Sequence, residues 1–248
     1  MPSAADPPVI QAEHLAVGYG ETVVLENLDF TVSRGDVFAI LGGSGSGKST
    51  LLRTLIGLQE PLHGTVRIAG AQPLRGGAPT YGVLFQSGAL FGSMTLAQNV
   101  ALALAKWTNL DPRTIDTIVR SKLRLVGLEG FENHLPAEIS GGMKKRAGIA
   151  RALALDPSLL FLDEPSAGLD PVTSAELDDL IATLNGSLGM TTVIVTHELR
   201  SIFAIVRHCI MVDGASRGII ARGEPAALRD GSDDPQVRAF FNPRSRAA

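Results

Sequence analysis

Eight consecutive residues constrain this chain more than any others. Gly42-Gly43-Ser44-Gly45-Ser46-Gly47-Lys48-Ser49 fits the pattern G-x-x-x-x-G-K-[S/T]. The loop follows an all-apolar run at 37–41 and precedes a stretch of helical character at 50–58. A strand that is apolar at every position has to be covered on both faces. Strand, glycine loop and helix in that order therefore predict a mainly parallel sheet under helices.

The loop's composition suits a triphosphate. Phosphate oxygens need many N–H donors close by, and glycine lets the backbone turn and approach without a Cβ in the way. A helix opening near Lys48 points its free N–H groups and a partial positive charge at the anion. Gly42, Gly43, Ser44, Gly45, Ser46, Gly47, Lys48, Ser49 and Thr50 are the expected nucleotide contacts. Lys48 adds a full charge at the β- and γ-phosphates, and the Ser49 hydroxyl is placed to ligate Mg²⁺. ATP and Mg²⁺ are thus the expected ligands.

Further along, residues 15–17 and 23–25 are short apolar runs separated by Gly18-Tyr19-Gly20, which reads as a turn within an N-terminal antiparallel β subdomain. Strands are expected at 65–68 and 83–85. Residues 96–155 have helical rather than strand character, so a helical subdomain inserted at roughly 88–157 is expected. Two more apolar runs, 159–162 and 191–196, read as strands, with a helix from Glu198. The fold class is α/β: a phosphate-loop core with a mainly parallel sheet. One domain is expected over 9–243, between loose ends at 1–8 and 244–248.

The run at 159–162 ends in Asp163-Glu164. Next to a phosphate loop, Asp163 is placed to hold Mg²⁺, directly or through water. Glu164 is placed to polarise the attacking water, a role worth ~10²–10⁴-fold in rate. His197 follows the 191–196 strand at a strand end, where open α/β sheets bind ligands, and a γ-phosphate contact is expected of it. Ser140-Gly141-Gly142 before a helical run forms a second helix N-terminus able to bind an anion.

Composition excludes other classes. Lysine and arginine total 22 against 25 acids, a formal net charge of -3, which leaves no basic footprint for nucleic acid. No apolar stretch reaches the length of a membrane span, and the first residues lack a signal pattern. A membrane connection is expected only through a partner. The one cysteine, Cys209, sits in an apolar run and is expected to be a buried, unpaired thiol.

With these residues in place the chain resembles the ATP-binding subunits of ABC transporters over nearly its full length. Ile139-Ser140-Gly141-Gly142-Met143 is similar to that family's signature, with Met143 where glutamine is usual; Gly43 stands where many relatives have proline. The resemblance implies that Gln86 senses Mg²⁺ and the attacking water, that Asp170 in the loop Ser166-Ala167-Gly168-Leu169-Asp170 after the acids contacts the nucleotide, and that Tyr19 stacks on adenine. It also implies a head-to-tail homodimer. Each ATP then lies between one phosphate loop and the partner's Ser140, Gly141 and Gly142.

A narrower resemblance, to the ATPases of MCE-associated lipid transporters, rests on three segments. They are residues 84–91, the Ser-Gly-Gly-Met form of the signature and Asp234-Pro235-Gln236-Val237-Arg238-Ala239-Phe240-Phe241. It implies phospholipid movement between bacterial membranes, a permease, an MCE-domain protein and a place at the cytoplasmic face of the inner membrane. A STAS-domain regulator is a further partner. A long tail to reach such a partner is expected to be short or missing after Phe241. Residues 88–91, after Gln86, are expected to dock the permease. The alternatives are an ATPase for an amino-acid, metal or drug transporter, a soluble ABC ATPase acting on DNA or ribosomes, and an ATP sensor without turnover. The last has no use for Glu164 and His197.

Overall fold

The computed structural model describes residues 7–73 and 77–243. In chain order the elements are β1 (Ile10–Tyr19), β2 (Thr22–Val32), β3 (Val37–Leu41), α1 (Lys48–Leu55), β4 (His63–Ile68), β5 (Tyr81–Leu84), α2 (Leu96–Trp107), α3 (Pro112–Leu125), α4 (Gly141–Ala152), β6 (Leu159–Asp163), α5 (Pro171–Leu188), β7 (Thr191–Val195), α6 (Leu199–Ile205), β8 (His208–Asp213), β9 (Gly218–Gly223), α7 (Pro225–Gly231) and α8 (Pro235–Phe241). They divide into two compact units, 1–75 with 193–248, and 76–192. The ends expected to be loose lie outside the described residues, apart from Pro7 and Pro8.

The first unit holds an antiparallel sheet in the order β2-β1-β4. Its strands are longer than the apolar runs at 15–17 and 23–25. β1 and β2 pair from Ile10↔Val32 to Tyr19↔Thr22, with three register shifts along the way. Those bulges break the strict alternation by which a strand is recognised, so polar residues such as Glu13 and His14 sit inside β1. β3 is buried at all five positions. It pairs in parallel with β8, Phe38↔His208 through Leu41↔Met211. β9 closes that edge antiparallel to β8. Ala39, Leu41, Ile202, Cys209, Met211, Val237 and Phe241 form one core cluster. Burial there pushes the Cys209 thiol up to about 12. Asp234 caps α8, accepting from Gln236 N at 2.7 Å and Val237 N at 3.3 Å, and so turns Val237 and Phe241 inward.

The second unit holds β5 and β6, paired in parallel from Tyr81↔Leu159 to Leu84↔Leu162, together with α2 to α5. The helices expected within 88–157 all fall here. Each begins on a side-chain cap. Thr95 and Gln98 form a reciprocal capping box on α2, while Asp111 and Asp170 cap α3 and α5 with proline next in line. A Cβ on Gly82 would lie 2.3 Å from the Ala152 carbonyl oxygen, so β5 packs against the end of α4 with no room for a methyl group. Gly82→Ala is expected to destabilise the protein by about 1–3 kcal/mol, as overpacking of a dense interior does. Urea unfolding checks it, and an unchanged midpoint would contradict the packing.

Candidate functional site

The phosphate loop lies in the first unit and leaves the C-terminal end of β3. Its geometry demands glycine at two places. Gly42 has φ 152, and a Cβ there would meet Val212 O at 2.4 Å; Gly47 has φ 97, and its Cβ would meet Leu25 and Val24 side chains within 2.9 Å. α1 starts at Lys48, where the phosphate-loop pattern places the helix opening. Lys48 is buried, and its Nζ donates to Gly42 O at 2.8 Å and Gly43 O at 2.7 Å. The ammonium is therefore held inside the curl of the loop. Ser46 is also buried, with an Oγ that has no hydrogen-bond partner. Gly43, Ser44, Gly45 and Ser49 are exposed, whereas Thr50 is buried. The loop's outer rim thus faces solvent while its charge sits beneath.

Tyr19 ends β1 beside α1. Its hydroxyl lies 3.1 Å from Thr50 Oγ1 and accepts from Arg53 Nη1 at 3.1 Å. The Thr50 bond foremost lowers its pKa; desolvation opposes it, and the Arg53 bond and charge add to the lowering. Tyr19 is 51% exposed, its ring held in place by the hydroxyl. His197, also in this unit, stands exposed two residues past β7, which neighbours β3 in the strand order.

The second unit carries Gln86, Asp163, Glu164, the signature and Asp170. Register brings the first three together. Leu84 and Leu162 are partners in a parallel pair, so Gln86 and Glu164 leave the same sheet edge, each two residues further on. Gln86 is exposed, and both acids are half-buried. Glu164 has φ 45, a left-handed conformation that costs a non-glycine residue about 1–3 kcal/mol. Ser140 caps α4 by accepting from Met143 N at 3.2 Å. That bond uses the Met143 backbone, so the exchange of glutamine for methionine loses nothing at the cap. A Cβ on Gly142 would meet Thr173 Cγ2 at 2.3 Å, which leaves glycine as the fit between α4 and the start of α5. Gly141 has more space, 3.6 Å to Leu169 Cδ2. Ser140 and Gly141 are exposed at the helix tip.

Asp170, one of the expected nucleotide contacts, caps α5. Its Oδ1 accepts from Val172 N at 3.0 Å and Thr173 N at 3.1 Å, and its Oδ2 from the Thr173 hydroxyl at 2.5 Å. The Thr173 hydroxyl bond foremost holds its carboxyl below the usual carboxylate range. It is a helix cap in this structure, because an aspartate directly before Pro171 meets the free N–H groups of α5 first.

Two residues that the sequence reading did not single out organise the segment after Gln86. Asn99, fully buried in α2, accepts from Phe91 N at 2.8 Å and donates to Phe91 O at 3.1 Å, Met94 O at 3.1 Å and Thr95 O at 3.0 Å. Arg151 in α4 donates to Ala89 O at 2.6 Å and Gly88 O at 3.1 Å. Their signal in the sequence was faint: a polar residue inside an apolar helix and one basic residue among several. Phe91 is left 55% exposed on this anchored segment. Elsewhere, a cavity of about 600 Å³ lies in the first unit among Asp29, Asp36, His208 and Arg222, and none of the phosphate-loop residues line it.

A glycine loop curled around one buried ammonium, between a buried strand and a helix N-terminus, defines a phosphate-loop nucleotide-binding protein. The comparisons narrow this. Residues 25–167 match the family model described as ABC transporter. A relative from Mycobacterium bovis, named a probable ribonucleotide transport ATP-binding protein mkl, is 41% identical over 95% of this chain and 67% of its own length. The intermembrane phospholipid transport system ATP-binding protein MlaF of Escherichia coli is 40% identical over 90% of this chain and 84% of its own. Among solved structures, cbiO1 of Clostridium perfringens, part of the ABC transporter complex cbiONQ, aligns with a TM-score of 0.80 at 26% identity, covering 96% of this chain and 97% of that one. A dimeric post-hydrolysis state of the ATP-binding cassette MJ0796, bound to ADP and Pi, aligns with a TM-score of 0.76 at 27% identity, covering 87% and 98%. The chain belongs to the ABC transporter family of ATP-binding proteins, and it is an ATPase.

Proposed function

We propose that this ATPase powers phospholipid transport between bacterial membranes through a partner permease. The observation that carries this reading is the likeness to MlaF over most of both chains. The Ser-Gly-Gly-Met signature and the segment after Gln86 support it. The protein sits at the cytoplasmic face of the inner membrane, reached through the permease. No described helix is long and apolar enough to cross a membrane. An MCE-domain protein and a STAS-domain regulator are the further partners of this reading.

In the reaction, loop N–H groups and Lys48 hold the β- and γ-phosphates, and Tyr19 offers its exposed ring to adenine. Glu164 takes a proton from the attacking water, whose oxygen bonds to the γ-phosphorus as the bond to the β-γ bridging oxygen breaks. His197 contacts the γ-phosphate. Ser49, Asp163 and Gln86 present a hydroxyl, a carboxylate and an amide oxygen, a donor set that fits a hard cation. Bound Mg²⁺ would supply charge neutralisation on the phosphate oxygens. The capped tip of α4, with Ser140 and Gly141 exposed, suits the γ-phosphate of a second copy's ATP, so two chains close head to tail. Asp170 contributes by fixing the start of α5. Phe91 and its anchored segment dock the permease.

The mycobacterial relatives favour a second cargo, since they are named probable ribonucleotide transport ATP-binding proteins. Extraction of the purified ATPase–permease complex separates the two. Mass spectrometry is expected to find co-eluting phospholipid. A ribonucleotide or another polar solute in its place would overturn the lipid assignment.

A further inference from the structure

We infer that Lys145, in the second turn of α4, is the positioning residue that holds the water-polarising Glu164 in its strained conformation and ties it to the Gln86 segment. This deepens the proposed mechanism and rests on Glu164 being the base.

Three observations in the second unit carry it. Lys145 is only 6% exposed, and its Nζ donates to the backbone carbonyls of Gln86 and of Glu164, the latter at 3.1 Å. These are the two residues that parallel register sets level at the sheet edge. Glu164 O also accepts from Ala167 N at 3.2 Å, so the carbonyl that Lys145 grips is the one that closes the turn after the acids. Finally, Glu164 is in the left-handed region at φ 45, a conformation that persists only where neighbours impose it.

Burying an ammonium is costly unless its bonds are made. Desolvation lowers the Lys145 pKa, and the charges of Asp163 and Glu164 oppose that shift. A packing residue at this place needs no charge: methionine has the volume and none of the cost. The ammonium instead supplies strong donors to two carbonyls at once, with its charge near both acids. Arg151, six residues on along α4, donates to Gly88 O and Ala89 O. One helix, whose tip is the signature serine, therefore grips the backbone beside both Gln86 and Glu164. The consequence is that the backbone carrying Glu164 is tied to α4 through Lys145. Lys145 touches the backbone of the base, and its effect belongs on turnover, leaving nucleotide capture intact.

The test compares Lys145→Met, Lys145→Arg and Glu164→Gln in the full-length protein. Phosphate release, affinity for a fluorescent ATP analogue and amide hydrogen exchange are the readouts. Lys145→Met is expected to lower kcat by about 10- to 100-fold, the scale of a catalytic group misplaced by about an ångström. Analogue affinity should stay within about twofold, since Lys145 lies outside the phosphate loop. Exchange should quicken at 86–88 and 163–167 alone. Lys145→Arg should recover most of the rate, because its guanidinium spans both carbonyls. If Lys145→Met is not recovered folded, Lys145→Gln takes its place, with one amide head able to serve one carbonyl. Wild-type kcat in the methionine or glutamine variant overturns the inference. So does a loss of affinity that accounts for the whole rate loss, or exchange that quickens across the unit. The base assignment fails separately: a Glu164→Gln protein that turns over at the wild-type rate rejects that reading whatever Lys145 does. An inactive Glu164→Gln beside a fully active Lys145→Met rejects Lys145 alone.

Discussion

Lys48→Ala abolishes ATP turnover, with phosphate release falling to less than about a hundredth of the wild-type rate. Hydrogen bonds from a charged donor contribute about 1.5–3 kcal/mol each, and roughly 1.4 kcal/mol is a factor of ten. Lys48 is the buried cation within the loop, already pre-organised by its bonds to Gly42 O and Gly43 O. Those carbonyls place its Nζ inside the curl where phosphate oxygens would gather. Charge builds on those oxygens in the transition state, so removing the ammonium weakens binding and slows chemistry together. Nucleotide titration and phosphate release on the same preparation measure both. Thermal unfolding of the variant should stay near wild type, since alanine is a good helix former at the first position of α1. Retained turnover in Lys48→Ala would remove the phosphate loop from the mechanism.

Glu164→Gln separates chemistry from assembly. Loss of a general base costs about 10²–10⁴-fold in rate. The amide keeps the shape of the side chain and leaves the phosphate loop, Ser140 and Gly142 untouched. ATP therefore stays bound and goes on joining two copies, so the variant runs as a dimer at saturating MgATP in size-exclusion chromatography with light scattering. With ADP it returns to monomer. A monomeric Glu164→Gln protein at saturating MgATP would falsify the head-to-tail arrangement. A variant that hydrolyses at the wild-type rate would shift the base to another residue.

The phosphate loop, the acids after β6 and the signature were legible because each is written in a few contiguous residues. Glycines appear where a Cβ finds no space, as at Gly42, Gly47 and Gly142. Continuous apolar runs marked β3 and β6, and a β-branched run marked β7, for the same reason: burial on both faces leaves no charged position inside the strand to blur the pattern. β9 was not legible. Its residues are at most half-buried, and Arg222 and two glycines interrupt it, so pairing with β8 rather than composition makes it a strand. β1 hid its length behind bulges. The side chains that hold the site in place, Asn99, Lys145 and Arg151, were not legible either. Their partners are backbone carbonyls and N–H groups 4 to 63 residues away, and any residue type offers those. Asp170 shows the converse: a motif named the residue, while its bonds to the free N–H groups of α5 came only from the structure.

The grip of Asn99 on Phe91 has a mechanical meaning. Both the N–H and the carbonyl of Phe91 end on one side chain that is rooted in α2. A loop hinged at one bond absorbs a push by bending, whereas a residue pinned through both its N–H and its carbonyl hands the load to whatever holds it. Force delivered to the exposed ring of Phe91 travels into α2 as a stiff strut, with little slack lost on the way.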